Sequence, residues 1–459
     1  MRRCLVLVTT VALAVAMIGV APASAKKPKP KGGDTSIPSG EGKSTVKVSK
    51  GVINKLVQQT AADLQDYWDT TMPEVYNQSY DRVRTVAPYN TKHPGKCGGE
   101  AVDLGNAFYC FADGKILYDN EKYYPQIYAD LGPLAIETSL AHEWGHAIQD
   151  RVGLKPGTLQ TIYAELQADC FAGSWVAHIN NGESTQGITI GKGDTDVLVG
   201  KLLGVRDPVG TAPDDPQAHG TAFDRVNAYQ EGFEQGAQRC AQYPDDPPKI
   251  VEIPFTDQTD FDQNGNLPAD QVLPGTIDDL NNYWGPLTGD AYTPLTSDNI
   301  ISYDSSGPKS QLPTCGGTTP PLKDLKNRVF ICTEDKYLGF DAPFLGKVYD
   351  NIGDFAVSTL IGDVWAEAVQ FMNGLQKETS DSILQADCFT GAWAGTIAFQ
   401  TRESTFTLSP GDLDELVQVF LIYPQARGVS NENGAVVFPR LEALRIGFFQ
   451  GLNACLNAA

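Results

Sequence analysis

The chain has 459 residues, 41% of them hydrophobic, and 35 Lys and Arg against 56 Asp and Glu give a formal charge of −21. That length supports two or three domains with ordinary globular cores. So acidic a surface argues against nucleic acid or an anionic membrane as the main partner and favours solubility.

The first residues are Arg2 and Arg3, an apolar run from Cys4 to Val20, and the small residues Ala23-Ser24-Ala25. Basic, apolar and A-x-A segments in this order predict a secretory signal peptide over 1–25, cut after Ala25. Its removal takes Arg2 and Arg3 away and moves the charge from −21 to −23. The run is short for a membrane span, no later run reaches that length, and Cys4 lies too early to accept a lipid. Residues 26–50 open with Lys26-Lys27-Pro28-Lys29-Pro30-Lys31 and continue Gly/Ser-rich, a composition that predicts a disordered linker. Its lysines could touch an anionic cell envelope.

A domain is expected over 51–245. Within it, Ser139 to Gln149 reads SLAHEWGHAIQ, so His142, Glu143 and His146 form H-E-x-x-H inside an apolar run suited to a buried helix. Residues four apart share a helix face, so both imidazoles can address one ion while Glu143 reaches the water on it. Zinc lowers the pKa of its water from about 16 to about 7, and a carboxylate beside it can take the proton as that water attacks a peptide carbonyl. The chain has only five His, which makes a chance match improbable. Thr158 to Ile179 predicts a second helix that puts Glu165 and Asp169 on one face. Glu165 is the expected third ligand, and Asp169 the carboxylate that binds the far nitrogen of a ligating His.

HEWGHAIQ followed by AELQADCFAG resembles the bacterial neutral zinc metallopeptidases, with their H-E-x-G-H-x-x-Q and E-L-Q-A-D-C-F-A-G blocks. The resemblance spans roughly 95 to 240. It implies a gluzincin-like α+β fold, mostly helical with a small sheet, in which a helix pair holds the metal and an edge strand holds substrate. Asn106 to Asp119, with alternating Ile116 and Tyr118, is the expected strand.

A Pro/Asp-rich linker is expected over 246–273. Asp260, Asp262 and Asn264, followed by Gly265, match the start of a calcium loop. The match then weakens, with Pro268 intruding and Gln271 where a bidentate Glu belongs, so a plain acidic turn competes.

From there the chain repeats itself. Cys97-Gly98-Gly99 recurs as Cys315-Gly316-Gly317, LQADCF from Leu166 recurs from Leu384, and Gly232-Phe233 recurs as Gly447-Phe448. Nearly constant offsets predict a tandem duplication, with a second copy over 274–459. Eight cysteines fall four to a copy, and in an exported protein they predict disulfides: Cys97–Cys110, Cys170–Cys240, Cys315–Cys332 and Cys388–Cys455.

The second copy is an internal control. Asp363, Val364, Glu367 and Ile383 stand where the first copy has His142, Glu143, His146 and Glu165. The ligands and the base are lost together, as expected of one chemical unit. Asp169 keeps a counterpart in Asp387 and Arg225 one in Arg440, which points to structural work. His219 falls on Gly434 and so is a candidate donor to the developing oxyanion.

These readings converge on an exported zinc metallopeptidase, with one zinc per chain, Glu143 as general base, a protein or peptide substrate and a pseudo-enzyme second copy. A non-catalytic zinc-stabilised interaction module and a zinc amidase acting on cell-wall peptides are the rivals.

Overall fold

Helix α1 (Lys50–Tyr76) starts where the Ser49 hydroxyl accepts the Val52 N–H and stops at left-handed Asn77. Its buried stripe, Ile53, Val57, Leu64 and Trp68, follows helical spacing. The computed structural model describes residues 48–191, 193–375, 379–426 and 437–457, and these all belong to one compact unit. The expected signal peptide, most of the 26–50 linker and Gly434 lie outside the described residues.

After α1 come strands β1 (Val86–Tyr89), β2 (Lys96–Cys97), β3 (Glu100–Ala101), β4 (Ala107–Cys110) and β5 (Lys115–Asp119). The single strand expected from Asn106 to Asp119 is instead the β4–β5 hairpin. Asp113 and Gly114 both donate to the Cys110 carbonyl, and Gly114 takes the positive φ that the reversal requires. β5 is central, with β1 parallel on one side and β4 antiparallel on the other. β1 and β4 are therefore the edge strands of this sheet, while Ile116 and Tyr118 of β5 are core.

Helices α2 (Tyr123–Leu131), α3 (Pro133–Arg151), α4 (Thr161–Asn180), α5 (Asp194–Gly204) and α6 (Ala222–Ala241) complete this half. From Leu134 to Gln149 every residue of α3 is buried, so the polar groups it carries, His142, Glu143, His146 and Gln149 among them, lie inside the protein. Helices α4 and α6 cross at Gly232, where a side chain would strike the Cys170 carbonyl, and the Cys170–Cys240 disulfide joins the same pair. The Cys97–Cys110 disulfide ties β2 to edge strand β4.

The second half runs through α7 (Gln258–Asp262), α8 (Ala269–Thr288), β6 (Ile300–Tyr303), α9 (Leu322–Leu325), β7 (Val329–Cys332), β8 (Tyr337–Asp341), α10 (Ala342–Asn351), α11 (Asp354–Met372), α12 (Thr379–Ala398), α13 (Asp412–Ile422), α14 (Val437–Gln450) and α15 (Leu452–Asn457). Its sheet has β6 parallel and β7 antiparallel to central β8, as β1 and β4 are to β5. Disulfides join Cys315 to Cys332 and Cys388 to Cys455. Trp393 donates to Asp279 at 2.8 Å, as Trp175 donates to Asp63 at 2.8 Å.

The halves meet reciprocally. Asp196 on α5 accepts the Val437 and Phe438 N–H groups that open α14, and Asp414 on α13 accepts the Phe223 N–H that opens α6. Phe223 packs on Phe448 with ring centres 4.8 Å apart, and Phe233 on Phe438 at 5.0 Å. Such mutual exchange of matching positions is the pattern of a two-fold, self-complementary interface. Among the described residues no helix is long and apolar enough to cross a membrane.

The calcium loop expected at Asp260, Asp262 and Asn264 is not formed. Gln258–Asp262 is a turn of helix capped by Asp257, so alternate residues point apart instead of wrapping one centre. Asp260 accepts from Thr256 and Ser409, and Asp262 from Gln258.

Candidate metal centre

On α3, His142 and His146 lie one turn apart with ring centres 4.9 Å apart, and Glu165 on α4 faces both. The His142 Nε2 is 3.2 Å from one Glu165 oxygen and the His146 Nε2 is 3.4 Å from the other. All three offer donor atoms within 4.8 Å of one another. Two imidazole nitrogens and one carboxylate oxygen are a donor set that zinc accepts, so the residues fit the ion. What lets α4 come this close is Gly145. A Cβ there would lie 2.7 Å from the Ala168 Cα, so the small residue inside the motif brings Glu165 within reach.

The far nitrogens are held as well. His142 Nδ1 donates to Asp169 at 2.7 Å, which turns Nε2 toward Glu165. His146 Nδ1 meets the Gln149 carbonyl oxygen at 2.9 Å, and the Gln149 amide donates onward to the Ala164 carbonyl and to Gln167. Arg225 grips Asp169 with two hydrogen bonds of 2.7 and 3.0 Å. Burial opposes the Asp169 charge, but Arg225 and His142 hold its pKa well below the usual range. For His146, burial acts downward, yet the Glu165 charge prevails and lifts it to about 9. Glu165 is held well below the carboxylate range, the histidines outweighing its burial. Negative charge thus concentrates where the ring nitrogens converge.

Glu143 sits beside this centre, buried, with one oxygen accepting the Tyr109 N–H of β4 at 2.8 Å. Burial raises its pKa. Glu143, the three metal-site residues and the β4 edge line one cleft of about 480 Å³. The His219 side chain, paired with Asp207 at 3.5 Å, opens onto the same cleft. Arg225 reaches the cleft too.

Two residues escaped the sequence reading. Gln149 orients His146, and its signal was the H-x-x-Q spacing one turn beyond the motif. Lys201 lines the cleft from α5, almost wholly buried, and burial drives its pKa down to about 8 against the pull of Asp169. A lysine inside the apolar run Val197 to Leu203 was the available clue.

The sequence profile of the family described as "Putative neutral zinc metallopeptidase" matches residues 2–243, just over half of the chain. The chain belongs to that family. Among its relatives, the Escherichia coli K12 protein "Uncharacterized protein YpfJ" is 27% identical over 228 residues, 44% of this chain and 76% of the relative. The Mycobacterium tuberculosis H37Rv protein "Uncharacterized protein Rv2575" is 26% identical over 162 residues, 30% of this chain and 55% of the relative. No solved structure matches the chain. The matched stretch contains every residue that lines the cleft, from Asn106 to Arg225, so the zinc metallopeptidase family match lies in the first half.

At the matching positions of the second half, Asp363 and Val364 are buried, Glu367 is exposed and Ile383 is half-buried. Arg440 binds Asp387 as Arg225 binds Asp169, and a second hydrogen bond of 3.2 Å runs from Arg440 to Asp363.

Proposed function

We propose that this chain is an exported, zinc-dependent peptidase with one active centre, built on His142, His146 and Glu165, and that the second half is a degenerate tandem copy of the gluzincin-like first half. The observation that carries the reading is the convergence of two oriented Nε2 atoms and one carboxylate beside Glu143 in a cleft bordered by an open strand edge. Zinc held there would polarise a substrate carbonyl and acidify water. Glu143 would take a proton from the attacking water and return it to the leaving amine. The Tyr109 N–H fixes one Glu143 oxygen, leaving the other for that transfer. Edge strand β4 offers backbone groups along which an extended peptide can lie. Lys201 and His219 are the candidate donors to the carbonyl oxygen as its charge develops.

Export is supported by the basic-apolar-small order of residues 1–25 and by the four disulfides. Duplication is supported by matching sheets, disulfides and Trp–Asp bonds in the two halves. Metal analysis of the purified chain should find one zinc, removed by His146→Ala. Glu143→Gln should keep zinc and fold but lose about 10²- to 10⁴-fold in peptide hydrolysis, the range of a general base. Equal hydrolysis by wild type and Glu143→Gln across unfolded protein, short peptides and peptidoglycan stem peptides would instead favour the non-catalytic interaction module.

A further inference from the structure

Three carboxylates that the peptidase chemistry does not use meet in the second half. Asp354 opens α11, while Asp412 and Glu415 lie on the first turn of α13. All three are buried, and oxygens from each lie within 4.8 Å of one another. Ligand oxygens bonded to one hard cation at about 2.3–2.6 Å are separated by at most about 5 Å, so the cluster has the dimensions of a coordination shell. A cluster of acids alone would not decide the matter, because protons can also quiet it. The second observation is an oxygen with nothing to do: Asp354 Oδ1 is buried and has no hydrogen-bond partner.

Among the described residues these charges also have no counter-ion. In the same half, Asp279 is paired with Arg402, Asp387 and Asp363 with Arg440, and Asp414 with Arg206. Among the described ion pairs none includes Asp354, Asp412 or Glu415. Their hydrogen bonds come from backbone only. Leu267 N–H reaches Asp354 at 3.1 Å, Ser409 N–H reaches Asp412 at 2.7 Å, and Phe355 and Ala356 N–H reach Glu415 at 2.8 and 3.3 Å. Each carboxylate therefore keeps an oxygen that these bonds leave open. Burial pushes all three pKa values upward, with the Asp354 charge adding to it at Asp412 and Glu415 and the nearby Asp260 at Asp354 and Asp412.

We propose that Asp354, Asp412 and Glu415 hold a hard divalent cation that serves structure and not hydrolysis. None of Asp260, Asp262 and Asn264 is among the ligands. All-oxygen donors exclude a zinc preference and suit calcium or magnesium, with calcium favoured because it tolerates irregular shells drawn from separate helix ends. The ion would pin three elements at once. Leu267 and Asn266 of the connector between the halves bond to the Asp354 carboxylate and N–H, so a cation at Asp354 ties that connector to the starts of α11 and α13. α13 carries Asp414, which caps α6 of the first half. The first half has Pro133, Asp194 and Val197 at the matching positions and builds no such cluster. This inference does not depend on the zinc reading.

The test uses the full chain, stripped of metal and reloaded with one equivalent of zinc. Millimolar CaCl₂ and MgCl₂ are added in separate arms at pH 8. Calcium should raise the unfolding midpoint by several degrees and remain with the chain through gel filtration at one ion per chain. The larger response to magnesium would reassign the ion within the same site. Asp412→Asn/Glu415→Gln should abolish both binding and the thermal response while peptide hydrolysis below the midpoint is unchanged. Terbium luminescence on the unmutated chain gives an answer even if that variant misfolds, since Tyr349, whose hydroxyl donates to the carbonyl of Leu267, the residue whose N–H binds Asp354, can sensitise the ion. No calcium-displaceable terbium signal and no response to either cation would overturn the proposal, as would equal calcium binding by wild type and variant.

Discussion

The Arg–Asp pair between α4 and α6 exists twice, and what surrounds it differs. In the first half Arg225 binds Asp169, whose Oδ1 also takes the His142 ring N–H. In the second half Arg440 binds Asp387, and the place of the ring is taken by Asp363, which turns to the same guanidinium. The glutamines repeat the lesson. Gln149 and Gln370 both cross-link α-helices, through Gln167 and Gln385 at 3.0 Å each, but only Gln149 has a histidine to hold. The buried polar links are therefore a frame common to both halves, and only in the first half does that frame hold histidines. Gly145 sides with the chemistry: its counterpart is Ala366, in a half that has no Glu165 to bring close.

The sharpest way to break this comparison is to remove the shared carboxylate from each half. Asp169→Asn should cost about 3–5 kcal/mol in denaturant unfolding, because it leaves the buried Arg225 guanidinium without its charge partner, whereas Asp387→Asn should cost less, because Arg440 keeps its pair with Asp363. Only Asp169→Asn should also weaken zinc binding, by about 10–100-fold, through the loss of the oriented His142. Equal effects on zinc would mean that the two halves do not divide frame from chemistry as described.

Lys201 sharpens it further. Its counterpart is Val419, fully buried, so the second half fills with an apolar side chain what the first fills with a charge. Lys201→Met should raise the unfolding midpoint, since a buried lysine without an ion pair is costly, while lowering kcat at least about tenfold with zinc retained. A variant that gains stability and keeps full kcat would assign Lys201 to the frame. Gly145→Ala should act more mildly, pushing α4 outward and weakening zinc binding severalfold, whereas Ala366→Gly should leave zinc untouched.

The helix pair, the convergence of His142, His146 and Glu165 and the cysteine pairs were legible because each is a local or periodic signal: H-E-x-x-H at helical spacing, Glu165 and Asp169 four apart, cysteines at repeated offsets. The β4–β5 hairpin was misread as one strand because alternation at Ile116 and Tyr118 does not reveal that Asp113 and Gly114 reverse the chain. At Asp260 the plain acidic turn, and not the calcium loop that competed with it, is the nearer reading, since ligand order along the sequence carries no information about whether the backbone coils into a helix. The reciprocal Asp196 and Asp414 caps and the Asp354 cluster were out of reach. Each depends on residues far apart in the chain, and their meaning lies in what is missing around them: a counter-ion, a cap or a partner.

The smallest expected difference concerns Asp224, whose counterpart is Pro439. The Asp224 carboxyl is fully buried, next to the interface residue Asp414, and accepts from Thr221 and from Val251. Burial, with help from the Asp414 charge, raises it to about 7. A folded-state pKa above the unfolded value means that the native chain binds the extra proton. The stabilisation is then complete below about pH 4 and is lost as pH climbs through about 7. Asp224→Asn supplies a permanently neutral side chain of the same shape, so the midpoint of the variant should be flatter by about 2–4 °C over that window and should not fall below wild type at pH 8. Pro439→Asp, placed at the matching helix start, should introduce a pH dependence of the same sign in the second half. If Asp224→Asn leaves the pH profile of unfolding unchanged, the carboxyl is ionised in the folded chain, and the interface holds its charge through Thr221 and Val251 alone.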